Sequence, residues 1–130
     1  MARRCRGVPA AVFLLLVAAS SSIAHHSVPG QFDTSKLVTL KGTISRVEWM
    51  NPHAYVYLDV KEANGAVRTW ALGTLPIPML RKAGLTKEAL KGKPGEMVTI
   101  TVMPAKDGTK RLAWISRITY SDGHHYRLFE

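Results

Sequence analysis

The side chains here that could do metal chemistry are histidines, and they fall in three places: His25-His26, His53 and His124-His125. Imidazole nitrogen is a common donor to zinc, copper, iron and nickel. The single cysteine, Cys5, lies near the start of the chain. The most informative stretch is Ser22-Ile23-Ala24-His25-His26-Ser27. It ends a segment with the three parts of an export signal. Arg3, Arg4 and Arg6 form a positive start, Ala10 to Ala19 an apolar run, and Ser22-Ile23-Ala24 a small-x-small cleavage site. Cleavage after Ala24 would leave His25 as the first residue, with its α-amine and its imidazole both available to one metal ion. The amine has a reference pKa of roughly 7.7–8.0, so a metal displaces its proton near neutral pH.

A terminal histidine needs a second donor from the folded chain, and His53 is the best candidate. Asn51-Pro52 precedes it, so a rigid turn presents it at the start of a strand. His26 is an alternative ligand. The expected metal is copper, with zinc as the other choice, and His25, His26 and His53 are the expected metal residues. The plain alternative for His53 is a turn cap or a hydrogen bond to a backbone carbonyl. His124 and His125 are weaker candidates, because neighbours in a strand point to opposite faces.

Signal removal also bounds the chemistry. Cys5 leaves with the signal, and a chain without cysteine has no thiolate metal site, thiol redox centre or covalent haem attachment. The apolar run is too short to span a bilayer, which takes about 20 residues. The mature chain is therefore expected to carry no transmembrane segment and to be periplasmic or secreted. Cleavage removes three of 18 basic residues and none of the 9 acidic ones, so the chain stays basic. Scattered positive charge suits solubility and at most a loose association with anionic surfaces. No nucleic-acid partner is expected of an exported protein.

The elements that would position these residues read as β. Residues 25–36 are expected to form an extended lead segment and residues 37–130 one domain. Leu37 to Trp49 alternates as a long first strand, with Val38, Leu40, Gly42 and Ile44 on one face. The apolar phase then shifts to Val47 and Trp49, as a bulge would cause, and Gly42 suggests a bend. Ala54 to Lys61 is the second strand and Asn64-Gly65 a hairpin turn. Ala66 to Leu72 is the third strand. Pro78, Gly84 and Thr86 punctuate short helical turns. Met97 to Met103 and Lys110 to Tyr120 are strands four and five, and His124 to Phe129 a short closing strand. Three strands, a helical connection and two strands is the order of an OB-like Greek-key barrel. An antiparallel sandwich is the competing architecture.

Several stretches together carry a resemblance: His25-His26-Ser27, Phe32-Asp33, Leu40-Lys41-Gly42-Thr43-Ile44, Val47-Glu48-Trp49-Met50-Asn51-Pro52-His53 and Met103-Pro104-Ala105-Lys106-Asp107-Gly108. Over nearly all of residues 24–120 the chain resembles a family of small exported bacterial proteins of unknown function. The post-signal His-His-Ser and the Trp-x-Asn-Pro-His turn are its most specific marks. The resemblance implies an exported single domain and supplies no reaction, substrate or partner.

A second set of candidates needs no metal. OB folds bind ligands on the face of strands two and three. Tyr55 and Tyr57, with Trp70 and Arg68 on the next strand, are expected there as a stacking surface for an oligosaccharide or peptide. Core packing is the alternative for these aromatics. Triad types (Ser27, Asp33, His53) and a carboxylate pair (Glu48, Asp59) occur, but their spacing fixes no geometry and no nucleophile-elbow motif is present. The expectation is thus a binding protein rather than an enzyme. Metal binding ranks first, oligosaccharide or peptide binding second, and a copper-dependent oxidative enzyme third.

Overall fold

The computed structural model describes residues 27–129. The expected signal segment, with Ala24, and the expected metal residues His25 and His26 lie outside the described residues. Among the described residues no helix is long and apolar enough to cross a membrane.

The elements run α1 (Val28–Gln31), β1 (Val38–Glu48), β2 (Tyr55–Lys61), β3 (Val67–Gly73), α2 (Ile77–Lys82), α3 (Lys87–Lys91), β4 (Met97–Pro104), β5 (Leu112–Thr119) and β6 (His125–Arg127). The sheet order is β3-β2-β1-β4-β5-β6. A parallel pairing of β3 with β5, from Ala71↔Leu112 to Gly73↔Trp114, closes five strands into a barrel. β6 adds one strand at the edge of β5. The fold is a small OB-like barrel, and the sandwich alternative is excluded by that closure.

β1 reaches two partners because it bends. A Cβ on Gly42 would lie 2.2 Å from the Asp59 carbonyl oxygen, so only glycine permits this approach of β1 to β2. The register against β2 then shifts between Ile44 and Arg46. That bulge moves the inward face from Leu40, Gly42 and Ile44 to Val47, as the change of apolar phase requires. The β2–β3 hairpin turns at Gly65, with φ +83°, and the Asn64 side chain accepts from the Ala66 amide. The helical connection has the expected punctuation. The Thr86 hydroxyl caps α3 by accepting from the Ala89 amide at 3.1 Å, and Gly84 follows α2 with φ +79°.

Two apolar clusters result. The larger fills the barrel with Leu40, Val56, Leu58, Leu72, Ile100, Ile115 and their neighbours, and takes in Leu80, Leu85 and Leu90 from the helical connection. Burying a leucine fully contributes about 1.5–3 kcal/mol, so these three fasten the connection to the barrel. The smaller cluster lies outside the barrel wall. Ala113 and Ile115 point inward, so Trp114 between them points outward, opposite Met103 on β4. The lead segment covers that pair. Phe32 joins Met103 and Trp114 in one buried group, with Val28, Ala105, Leu112 and Phe129 around it.

The lead segment is held there by directional bonds as well. Phe32 bridges to Ala105. The Asp33 amide donates to the Pro104 carbonyl, and the Lys106 amide to the Gln31 carbonyl, each at 2.9 Å. The Lys106 ammonium donates to the Pro29 carbonyl at 2.6 Å. Within it, Val28–Gln31 makes one helical turn capped by the Ser27 side chain, where the sequence offers only an aperiodic lead-in.

Candidate metal-binding site at the Asn51-Pro52-His53 turn

His53 sits between β1 and β2, after a cis Asn51-Pro52 bond. Its ring stands edge-on to the Trp114 indole, with centroids 5.2 Å apart and planes at 83°. Nδ1 is enclosed and has no hydrogen-bond partner among the described residues. The Trp114 indole N–H is likewise buried and unpartnered. Buried polar atoms are nearly always paired, so two orphans on adjoining rings stand out.

The indole can lie flat on the barrel because of Gly73. A Cβ there would come within 2.7 Å of Trp114 Cε3. Beside it, the Thr74 amide donates to the Ala54 carbonyl at 3.1 Å, which fixes the strand directly after His53. The Thr74 hydroxyl is a third buried, unpartnered polar atom. On the lead-segment side, Phe32 packs against the same indole, centroids 5.6 Å apart and planes at 45°. One tryptophan therefore serves as the common floor for the His53 turn and for the lead segment. Sequence reasoning missed Trp114, Gly73 and Phe32 as parts of the site. A signal was present in Ala113-Trp114-Ile115, three successive apolar residues that are all buried. A strand without alternation is covered on both faces.

The other expected residues are placed as follows. His25 and His26 lie outside the described residues. Among those residues no group of three or more His, Cys, Asp or Glu comes together. The four residues expected as one stacking face do not share a face. Trp70 pairs with Leu58 and Arg68 with Val60, so both take the inward parity of β2, while Tyr55 and Tyr57 take the outward one. Their surroundings differ too. The Tyr57 hydroxyl donates to Glu48 Oε2 at 3.1 Å, and the Arg46 guanidinium lies 4.0 Å over its ring while pairing with Glu48 at 3.1 Å. Burial, and then the Glu48 carboxylate, push the Tyr57 phenol above its ordinary pKa. Arg68 pairs with Glu62 at 3.5 Å. Trp70 is only partly buried, with one side packed against the barrel core. The period-two rule was right within each strand; the error was in the register across the hairpin, which pairs Trp70 with Leu58 rather than with Tyr57.

The carboxylates and hydroxyls weighed for catalysis are all engaged. Asp59 accepts from the Thr69 hydroxyl at 2.6 Å. Ser27 caps α1, and Asp33 accepts from the Ser35 hydroxyl and amide. His124 contacts Asp122 and stacks on Tyr120 at 4.3 Å, and His125 lies exposed on β6.

Compared with known proteins, residues 12–113 match the model of a family of unknown function (DUF6152). No curated protein and no solved structure matches the chain.

Proposed function

The chain belongs to this family of unknown function, and on that premise we propose that it is an exported binding protein for a transition metal, copper preferred. The metal is held by the amine and imidazole of His25, at the mature amino terminus, and by the imidazole of His53. His26 is an alternative donor. One observation carries the reading. His53 Nδ1 has no hydrogen-bond partner within the described residues, and the ring rests on the indole against which the lead segment docks.

The lead segment makes the pairing reachable. Val28 packs on the Phe32–Trp114 cluster, and three residues of chain back to His25 span at most about 10 Å. Amine and imidazole nitrogens without thiolates suit copper, nickel and zinc, with copper bound most tightly among divalent ions. Trp114 fixes the His53 ring, so little side-chain freedom is lost on binding. Asn51-Pro52 sets the approach of the backbone. The bound metal would supply a site for copper storage or transfer; the chain itself supplies the donors and their orientation.

The test uses mature protein whose first residue is confirmed as His25 by mass spectrometry. Copper(II) titration is expected to give one tight site per chain. His25→Ala and His53→Ala should each weaken it at least about tenfold, and His124→Ala should leave it unchanged. Affinity should fall as pH is lowered, because protons compete with the metal for the terminal amine. Equal affinity in the wild type, His25→Ala and His53→Ala would end the proposal.

A further inference from the structure

A cleft of about 580 Å³ opens between the lead segment and the β4–β5 loop, away from His53. Trp70 lines it, and Lys36, Lys106, Lys110 and Arg111 bring four cations against the single carboxylate of Asp33. The cations are exposed. Lys36, Lys110 and Arg111 form no ion pair among the described residues. Lys106 is tied across to the Pro29 carbonyl, which joins the two walls.

Arg111 is unusual in its backbone. It is the one non-glycine residue with positive φ (57°) among the described residues, held there by the Ala71 amide, which donates to its carbonyl at 2.9 Å. Glycine takes this conformation without the steric penalty that a side chain incurs. A strained residue in a cleft points to a use for its side chain.

We infer that this cleft binds an acidic oligosaccharide of the uronate type, with a sugar ring against Trp70 and its carboxylate held by Lys110 and Arg111. The guanidinium matches a carboxylate with two parallel N–H donors. Asp33, kept ionised by the Ser35 hydroxyl and amide, accepts hydrogen bonds from sugar hydroxyls. The same carboxylate opposes a continuous phosphate chain, and one indole is too few for the successive base stacking of single-stranded nucleic acid. The site shares no residue with the metal proposal.

The experiment is calorimetric titration of the mature chain with trigalacturonate in low salt, with EDTA present. Saturable binding is expected. Arg111→Gly and Lys110→Ala should each weaken it at least about tenfold, because each removes a charge-assisted bond. The urea midpoint of Arg111→Gly should not fall, since glycine accepts the backbone there. Neutral maltotriose should bind at least about tenfold more weakly, and His53→Ala should bind trigalacturonate as the wild type does. The proposal is overturned by absence of saturation at millimolar trigalacturonate, or by wild-type affinity in Arg111→Gly. Tighter binding of an oligothymidylate or a polyglutamate peptide would also overturn it.

Discussion

Two turns of this barrel present a histidine beside a buried aromatic ring, and they are built in opposite ways. At Ser121–His124 nearly every polar group has a partner. The Ser121 amide and hydroxyl donate to Glu96 Oε1 at 3.0 and 2.6 Å. The His124 amide donates to Asp122 at 3.0 Å, and its ring contacts the same carboxylate. That ring stacks on Tyr120, whose hydroxyl donates to the Leu90 carbonyl at 2.6 Å and so ties the turn to α3. At Asn51–His53 the ring meets Trp114 by its edge, and both it and the indole keep an unpartnered nitrogen indoors. The first arrangement spends its histidine on structure. The second holds a histidine in place by apolar contact and leaves its Nδ1 without a partner. Counting histidines cannot separate these cases; following their hydrogen bonds does.

The strongest way to break the contrast is to remove the ring on which the uncommitted histidine rests. Trp114→Ala should cost about 3–5 kcal/mol of folding stability, as for a large buried aromatic. It should also release the lead segment, read as faster exchange of the Asp33 and Lys106 amides. A loss below about 1 kcal/mol would mean that Trp114 is not the shared floor.

Next in size is Tyr120→Phe. It keeps the stack on His124 but leaves the Leu90 carbonyl without its donor, at a cost of about 1–3 kcal/mol in urea denaturation. Burial holds the Tyr120 phenol far above its ordinary pKa, so this contribution should persist through the alkaline range where exposed tyrosines ionise.

The comparison is sharpened most by the sign of a smaller effect. In the presence of EDTA, His53→Phe should leave stability unchanged or raise it by up to about 1 kcal/mol, since an unpaired buried nitrogen is replaced by a ring of similar shape. His124→Phe should lower stability, by about 0.5 kcal/mol, because a made hydrogen bond is lost at an exposed site. Losses of equal size at both would erase the distinction between the two turns.

The smallest effect is a pH dependence. Hydrogen bonds from the His124 amide and ring hold the Asp122 carboxyl below its ordinary 3.8. A depressed carboxyl stabilises the fold above its unfolded pKa, and the contribution fades as pH falls through the folded value. The His124 amide resonance should therefore shift on acidification below pH about 4, and Asp122→Asn should abolish that shift. The His53 turn, with no carboxylate partner, should show no such step.

Much of the fold was legible beforehand because it rests on local rules. The bulge in β1 could be read from the change of phase at Val47, the first hairpin from Asn64-Gly65, and the cap of α3 from Thr86. The candidate site was legible only in part. His53 stood out by its Asn-Pro turn, but Trp114 and Phe32 did not, because what covers the outer face of β5 comes from residues far away in sequence. The aromatic candidates failed as a single face for the same reason: strand alternation is local, whereas register between strands depends on where the hairpin closes.

The sequence by itself determined the order of elements, the bend at Gly42 and the residue types on offer, because propensity, periodicity and turn chemistry act within a few residues. It also determined that His53 is the single histidine between residues 37 and 113. Tertiary structure decided which histidine stays uncommitted, which face Trp70 takes and where the lead segment rests. Those outcomes depend on contacts between distant residues: a tryptophan of β5, a glycine of β3 and a phenylalanine ahead of β1 meet only when the barrel closes.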